Sequence, residues 1–256
     1  MEKTKHGALN VEVIDEAFYM PQLDRSRRIW VYKPTDYYRN EKRFPVIYMH
    51  DGQNLFDEAT AFGEEWGIDE TLNSLLAECL IVGIDNSAHR MTEYNFNDHK
   101  EYSTGEGRKY IEFIVQTLKP VIDLNFRTKQ GRNNTHIAGS SMGGLISLYG
   151  AMHFAHTFGG AGVFSPSLWL VPNVTEELKA VAELNTQFPQ RYYFYGGSKE
   201  GDNMVANIDK VTNFLKEFPH YQVDVEIHDD GEHSEEHWRN KFPDYYGWLS
   251  QAIQEA

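Results

Sequence analysis

Short, uninterrupted apolar runs bounded by Gly, Asp or Asn alternate with longer amphipathic stretches along most of the chain, and few folds accept this pattern. The runs occupy 46–49, 80–84, 136–139, 160–164, 192–195 and 223–227. Each is too short for a helix, and all but the last, which alternates as Val223-Asp224-Val225-Glu226-Ile227, lack the in–out alternation of a strand with one wet face. Strands of this kind are buried on both sides, as in a parallel sheet covered by helices. The stretches at 68–78, 110–124, 141–154, 176–184 and 204–218, with a last at 245–253, carry the helical period. The predicted class is therefore α/β: a mostly parallel central sheet with helices on both faces. Two earlier strands, 11–18 and 28–32, predict an antiparallel N-terminal edge. Pro120 falls inside the helical stretch 110–124 and predicts a kink or a break there.

The chain has 256 residues, a length that a single α/β domain can fill, and no linker, repeat or charge block divides it. One unit over 1–256 is the expectation. With 24 Lys and Arg against 38 Asp and Glu, the net charge is −14. Such a surface does not attract nucleic-acid phosphates or anionic lipid, both of which are bound through basic clusters. No apolar stretch approaches the roughly 18 residues that span a bilayer, and residues 1–7 have no apolar core behind them, so the reading expects a cytoplasmic protein. The single Cys79 lies inside an apolar run and reads as a buried, inert thiol.

Ligands of open α/β sheets bind beyond the carboxyl ends of the strands, and the chemistry-bearing motifs fall there. After the run 136–139 comes Gly139-Ser140-Ser141-Met142-Gly143-Gly144, leading into a helix. This is G-x-S-x-G in the strand–turn–helix setting that exposes a serine hydroxyl above the sheet. Ser141 is the candidate nucleophile, and the Met142 N–H at the helix start is a candidate oxyanion donor. A phosphate-cradling loop is the other reading of such a turn, but neither G-x-G-x-x-G nor G-x-x-x-x-G-K-[ST] occurs. The first long run leads into His50-Asp51-Gly52-Gln53, where Gly52 is expected to adopt a conformation that turns the Gln53 N–H inward as the second oxyanion donor.

The order nucleophile, acid, histidine in this fold selects among the 11 histidines those near the C-terminus. His233, in a Gly-containing loop before the closing helix, is the candidate base; His228 belongs to a strand and His237 lies one helical turn later. The spacing of His233 and His237 invites a zinc reading with Asp229 or Asp230, but Ser234 stands where H-E-x-x-H needs glutamate. For the acid, Gly197-Ser198-Lys199-Glu200-Gly201-Asp202 offers two carboxylates, Glu200 and Asp202, either of which would hold the histidine tautomer.

Together these segments resemble the enterochelin-esterase-like family of α/β-hydrolases, which includes siderophore trilactone esterases, esterase D, feruloyl and carbohydrate esterases, and mycolyltransferases. The resemblance rests on His50-Asp51-Gly52-Gln53-Asn54-Leu55-Phe56-Asp57, Glu65-Trp66-Gly67-Ile68-Asp69-Glu70 and Ile81-Val82-Gly83-Ile84-Asp85-Asn86. It continues through Arg90-Met91-Thr92-Glu93-Tyr94, the serine turn, Phe164-Ser165-Pro166, Gly231-Glu232-His233 and Trp238-Arg239. It implies Ser141 as nucleophile, His233 as base, Glu200 as acid, and the Gln53 N–H in the oxyanion hole. The segments 85–102 and 165–172 follow strand ends and are expected to line the cleft, with Arg90 to orient a carboxylate or sugar hydroxyl and Trp169 to stack on a ring. The expected activity is hydrolysis of a small-molecule carboxylic ester with neither metal nor organic cofactor. The chemistry also admits an acyltransferase, a non-catalytic binding module or a metal-dependent hydrolase, and one chain does not set the oligomeric state.

Overall fold

The computed structural model describes residues 9–98, 104–201 and 203–255. Eight strands form one sheet: β1 (Val11–Met20), β2 (Arg25–Tyr32), β3 (Val46–His50), β4 (Leu80–Ile84), β5 (Thr135–Ser140), β6 (Gly160–Phe164), β7 (Gln190–Gly197) and β8 (Tyr221–His228). Their order is β1-β2-β4-β3-β5-β6-β7-β8. The six strands from β3 onward run parallel, while β1 and β2 form the antiparallel edge, β2 lying antiparallel to β4. The continuous apolar runs are thus the central parallel strands, as their two-sided burial requires.

The helices are α1 (Ile68–Ser74), α2 (Arg90–Glu93), α3 (Gly107–Phe113), α4 (Lys119–Asn125), α5 (Met142–His153), α6 (Val174–Leu184), α7 (Met204–Lys216) and α8 (Glu235–Glu255). Successive strand residues feed opposite cores. Tyr48, Val82, Ile137 and Phe194 pack on one face with residues of α3 to α7, whereas Ile47, Ile81, Ala138 and Tyr195 pack on the other with α1 and α8. Helix α5 is buried on every side from Met142 to Met152, so it is a central helix with no solvent face.

Two helix expectations change. Around Pro120, α3 and α4 are joined by a π-helical turn over Ile114–Leu118. Proline has no N–H to give the preceding turn, and the wider turn absorbs that lost bond while the rod stays continuous. The closing helix begins ten residues before the predicted position 245, at Glu235, and carries Pro243 in its interior. The cost of that proline, about 3 kcal/mol, is offset by a buried stripe of Trp238, Phe242, Tyr245 and Leu249. Their i, i+4, i+7, i+11 spacing is one helix face.

Candidate active site

The serine turn is strained as the motif demands. Ser141 adopts φ 59° and ψ −121° between β5 and α5, a region that non-glycine residues avoid. Its N–H donates to the Phe164 carbonyl (2.9 Å), and its own carbonyl accepts from Ser167 N–H (3.0 Å) and Leu145 N–H (3.1 Å). The small neighbours are needed for contact: a Cβ on Gly144 would sit 2.7 Å from the Phe164 carbonyl oxygen. Met142 opens α5, so its N–H has no carbonyl partner within the helix.

Across the cleft, Gly52–Asn54 forms a 3-10 turn after β3. The structure adds a second requirement at Gly52. The left-handed residue is Asp51 (φ 57°), and Gly52 is required for close approach, since a Cβ there would lie 2.7 Å from Ile84 N in β4. Gln53 is fixed on two sides: its carbonyl accepts from Thr60 Oγ1 (2.7 Å) and its side-chain Oε1 from Asn86 N–H (3.0 Å). Its own N–H serves no other residue among those described.

The candidate acid and base meet. Glu200 Oε2 accepts from His233 Nδ1 at 2.7 Å, with the Glu200 side chain fully covered and the His233 side chain 40% exposed. The other oxygen, Oε1, accepts from Gly197 N–H (2.7 Å) and Ser165 Oγ (2.7 Å). The loops that carry the two residues touch backbone to backbone: Lys199 N–H donates to the Gly231 carbonyl (3.0 Å). Asp202, the alternative acid, lies outside the described residues. His237 turns away, its Nδ1 lying 2.9 Å from Ser234 Oγ. Among the described residues no cluster of three or more His, Cys, Asp or Glu is placed to hold a metal ion.

Ser141, His233 and Gln53 line one cleft of about 670 Å³ together with Asp51, Asn54, Phe62, Asn86, Arg90, Ser140, Glu235 and Trp238. Ser141 Oγ lies 3.2 Å from Ser167 Oγ, and no hydrogen bond joins it to His233, so a rotation of the serine side chain must bring the pair together; such bonds often tighten only with substrate bound. A larger hollow of about 860 Å³ lies around His136, Arg191 and His220, at the amino ends of the parallel strands and away from these groups.

Arg90 lines the cleft, but its guanidinium is already engaged. Nε and NH2 both donate to the Asp51 carboxylate at 2.8 Å, and the group stacks 5.2 Å from the Tyr94 ring centre. Burial works to raise the Asp51 pKa, yet Arg90 and the Asn86 amide outweigh it and hold the carboxyl below its usual value. Trp169 is 56% exposed and is not among the residues lining this cleft. Residues 99–102 of the expected lining segment lie outside the described residues. Sequence reasoning missed Phe62, a phenyl 87% exposed at the cleft, and Glu235, whose pKa is raised by burial and by Asp51. It expected the segment 165–172 to line the cleft, where none of its residues does, and it gave no role to Trp238, although both Ser165 and Trp238 stand in the segments that carry the resemblance.

The sheet order, together with a strained serine between a central strand and its helix, defines the α/β-hydrolase class. Residues 21–249 match the family model described as "Putative esterase"; the chain belongs to that family and is an ester-hydrolysing enzyme. It is 25% identical over 241 residues to the uncharacterized protein YbbA of Bacillus subtilis, covering 88% of this chain and 92% of that protein. It is 30% identical over 147 residues to the Iron(III) salmochelin esterase of Escherichia coli O6:H1, spanning 56% of this chain and 33% of that relative. Among solved structures, the BES protein of Bacillus cereus superposes with a TM-score of 0.78 at 20% identity, covering 97% of this chain and 98% of that one. No helix among the described residues is long and apolar enough to cross a membrane.

Proposed function

We propose that the protein is a serine esterase working through an acyl-enzyme on Ser141. The observation that carries this reading is the 2.7 Å contact between Glu200 Oε2 and His233 Nδ1, in the cleft that also holds Ser141 at its strained turn. Glu200 keeps the Nδ1 proton in place, which leaves Nε2 of His233 to take the proton of Ser141 as its oxygen attacks the ester carbonyl. The Met142 and Gln53 N–H groups receive the oxyanion of the tetrahedral intermediate. His233 then protonates the leaving alcohol, and water repeats the two steps to free the acid. No metal or organic cofactor enters this scheme.

The cleft combines hydrogen-bonding groups on Asn54, Asn86, Arg90 and Glu235 with the apolar surfaces of Phe62 and Trp238. It suits a small-molecule ester carrying hydroxyl or other hydrogen-bonding groups. A siderophore ester of the kind named for the salmochelin relative fits this description, as does an acetyl or feruloyl ester of a carbohydrate. Water rather than a second alcohol is taken as the acyl acceptor, so the enzyme is a hydrolase and not an acyltransferase.

The test is Ser141→Ala assayed on p-nitrophenyl acetate. A loss of about 10⁶-fold in kcat with the fold intact is expected for a nucleophile acting within a triad; retention of most activity overturns the assignment. Wild-type protein should be labelled by a fluorophosphonate at Ser141, and EDTA should leave its rate unchanged. Product analysis with added alcohol separates hydrolysis from acyl transfer.

A further inference from the structure

Glutamate as triad acid has one more rotatable bond than aspartate, so more side-chain freedom must be lost to aim it. Here the Glu200 side chain is fully covered, and a buried carboxylate needs protein donors for both oxygens because water cannot supply them. Oε2 is committed to His233. Oε1 depends on the Gly197 N–H and on the Ser165 hydroxyl, each at 2.7 Å. Ser165 is itself fully buried and stands in the left-handed region at φ 43°, a conformation that costs a serine free energy and that the surrounding structure must impose. Its N–H is tied to the Tyr195 carbonyl (2.8 Å), and its Oγ accepts from Trp238 Nε1 at 2.9 Å. That donation occupies a Ser165 lone pair and leaves the hydroxyl proton for Glu200. The same indole meets the His233 ring edge-on, with centroids 4.9 Å apart and planes at 87°. One tryptophan therefore touches the base directly and the acid through a single serine.

Resting on the triad reading above, we propose that Ser165 and Trp238 are positioning residues that fix the acid–base pair. The chain Trp238 Nε1–H to Ser165 Oγ–H to Glu200 Oε1 locks the carboxylate so that only Oε2 faces His233, and the indole holds the imidazole in register with it. The strained backbone of Ser165 is retained because it alone delivers the hydroxyl to Oε1. The competing role for Trp238 is packing, since its ring also lies 5.7 Å from that of Trp66. A phenylalanine at 238 keeps an aromatic ring there and deletes only the N–H donor.

The experiment compares Ser165→Ala, Ser165→Gly and Trp238→Phe with wild type and with Ser141→Ala. The readouts are kcat and KM on p-nitrophenyl acetate, the downfield Nδ1–H proton resonance of His233, and thermal unfolding. The glycine variant relieves the backbone strain while still lacking the hydroxyl, so it separates misplaced acid from a misfolded turn. All three variants are expected to lose about 10- to 100-fold in kcat with KM little changed, the effect being on proton transfer rather than binding. The downfield resonance should broaden or move upfield in each while the glycine variant stays folded. Wild-type kcat and an unmoved resonance in the two Ser165 variants would overturn the proposal. If they stay active while Ser141→Ala is dead, only the positioning role falls; if Ser141→Ala is active, the triad reading falls and takes this proposal with it.

Discussion

Glu200 and His233 are joined by a 2.7 Å hydrogen bond in which a fully covered carboxylate faces a partly exposed imidazole. The asymmetry suits the roles proposed for them. Glu200 is fixed by Gly197 and Ser165 on its far oxygen, while His233 keeps one edge free for the cleft.

This arrangement predicts the effect of Glu200→Gln. The far position receives two donors, so it must hold the amide oxygen, and the amide NH2 then points at His233 Nδ1. That forces Nδ1 to accept and puts the ring proton on Nε2, where it cannot take the proton of Ser141. A loss of about 10⁴-fold in kcat with the fold retained is expected, the size of effect produced by a wrong histidine tautomer in a triad. Steady-state kinetics and a circular dichroism spectrum check it; a loss below tenfold would remove Glu200 from the role.

Gly52→Ala tests the loop proposed to carry the second oxyanion donor. The added methyl meets Ile84 N at 2.7 Å and Gly83 C at 2.8 Å, and these are backbone atoms of a central strand that cannot swing aside. The turn carrying Gln53 must lift off β4. Displacing one oxyanion donor costs about 10²- to 10³-fold in kcat, and the overpacking costs about 1–3 kcal/mol of stability. Both should appear together, in kinetics and in urea denaturation.

The parts of the site legible in the sequence are those whose signal is local. Ser141 announces itself by its glycines and its place between an apolar strand and a helix, and His233 by chain order and a glycine loop. Glu200 was one of two carboxylates in a short turn until the family resemblance separated them. Ser165 and Trp238 are 73 positions apart, and what they do depends on hydrogen bonds that only the folded chain creates. Gly52 is expected from the sequence to let the chain turn the Gln53 N–H inward, but its closeness to a neighbouring strand is a tertiary property that the Asp-Gly pair does not reveal. The start of α8 was hidden because Pro243 reads as a breaker, and its tolerance comes from packing on α1 and the sheet. The central parallel strands, by contrast, are visible in the sequence, because two-sided burial leaves an uninterrupted apolar run; the edge strand β8 instead alternates.

Arg90 and Asp51 form a bidentate pair with side chains 26% and 10% exposed. Arg90→Ala leaves the Asp51 carboxylate buried without its cation and should destabilise the fold by about 3–5 kcal/mol. Adding Asp51→Asn removes the stranded charge, so the double variant should recover part of that loss. Denaturant titration of the four proteins closes the cycle. If Arg90 served substrate alone, the single variant would keep its stability and change only KM.

His136 supplies the pH dependence. It is 3% exposed in the middle of the sheet, with Nε2 on the Asn133 carbonyl at 3.2 Å. Burial lowers its pKa to about 4, against the smaller upward pull of that hydrogen bond. An unfolded histidine takes up its proton near pH 6.5. Between that pH and about 4 the unfolded chain therefore binds the extra proton, and stability falls as the pH falls, by about 1.4 kcal/mol per unit from this group. His50, buried and lowered to about 3, adds a second loss of the same sign that persists in any His136 variant. His136→Gln keeps a donor where Nε2 lies but cannot titrate. Measured by denaturant unfolding at pH 7 and pH 4.5, the variant should lose less stability on acidification than wild type, by about 2–3 kcal/mol over that interval. Equal losses in the two proteins would mean that His136 is not held neutral by the fold.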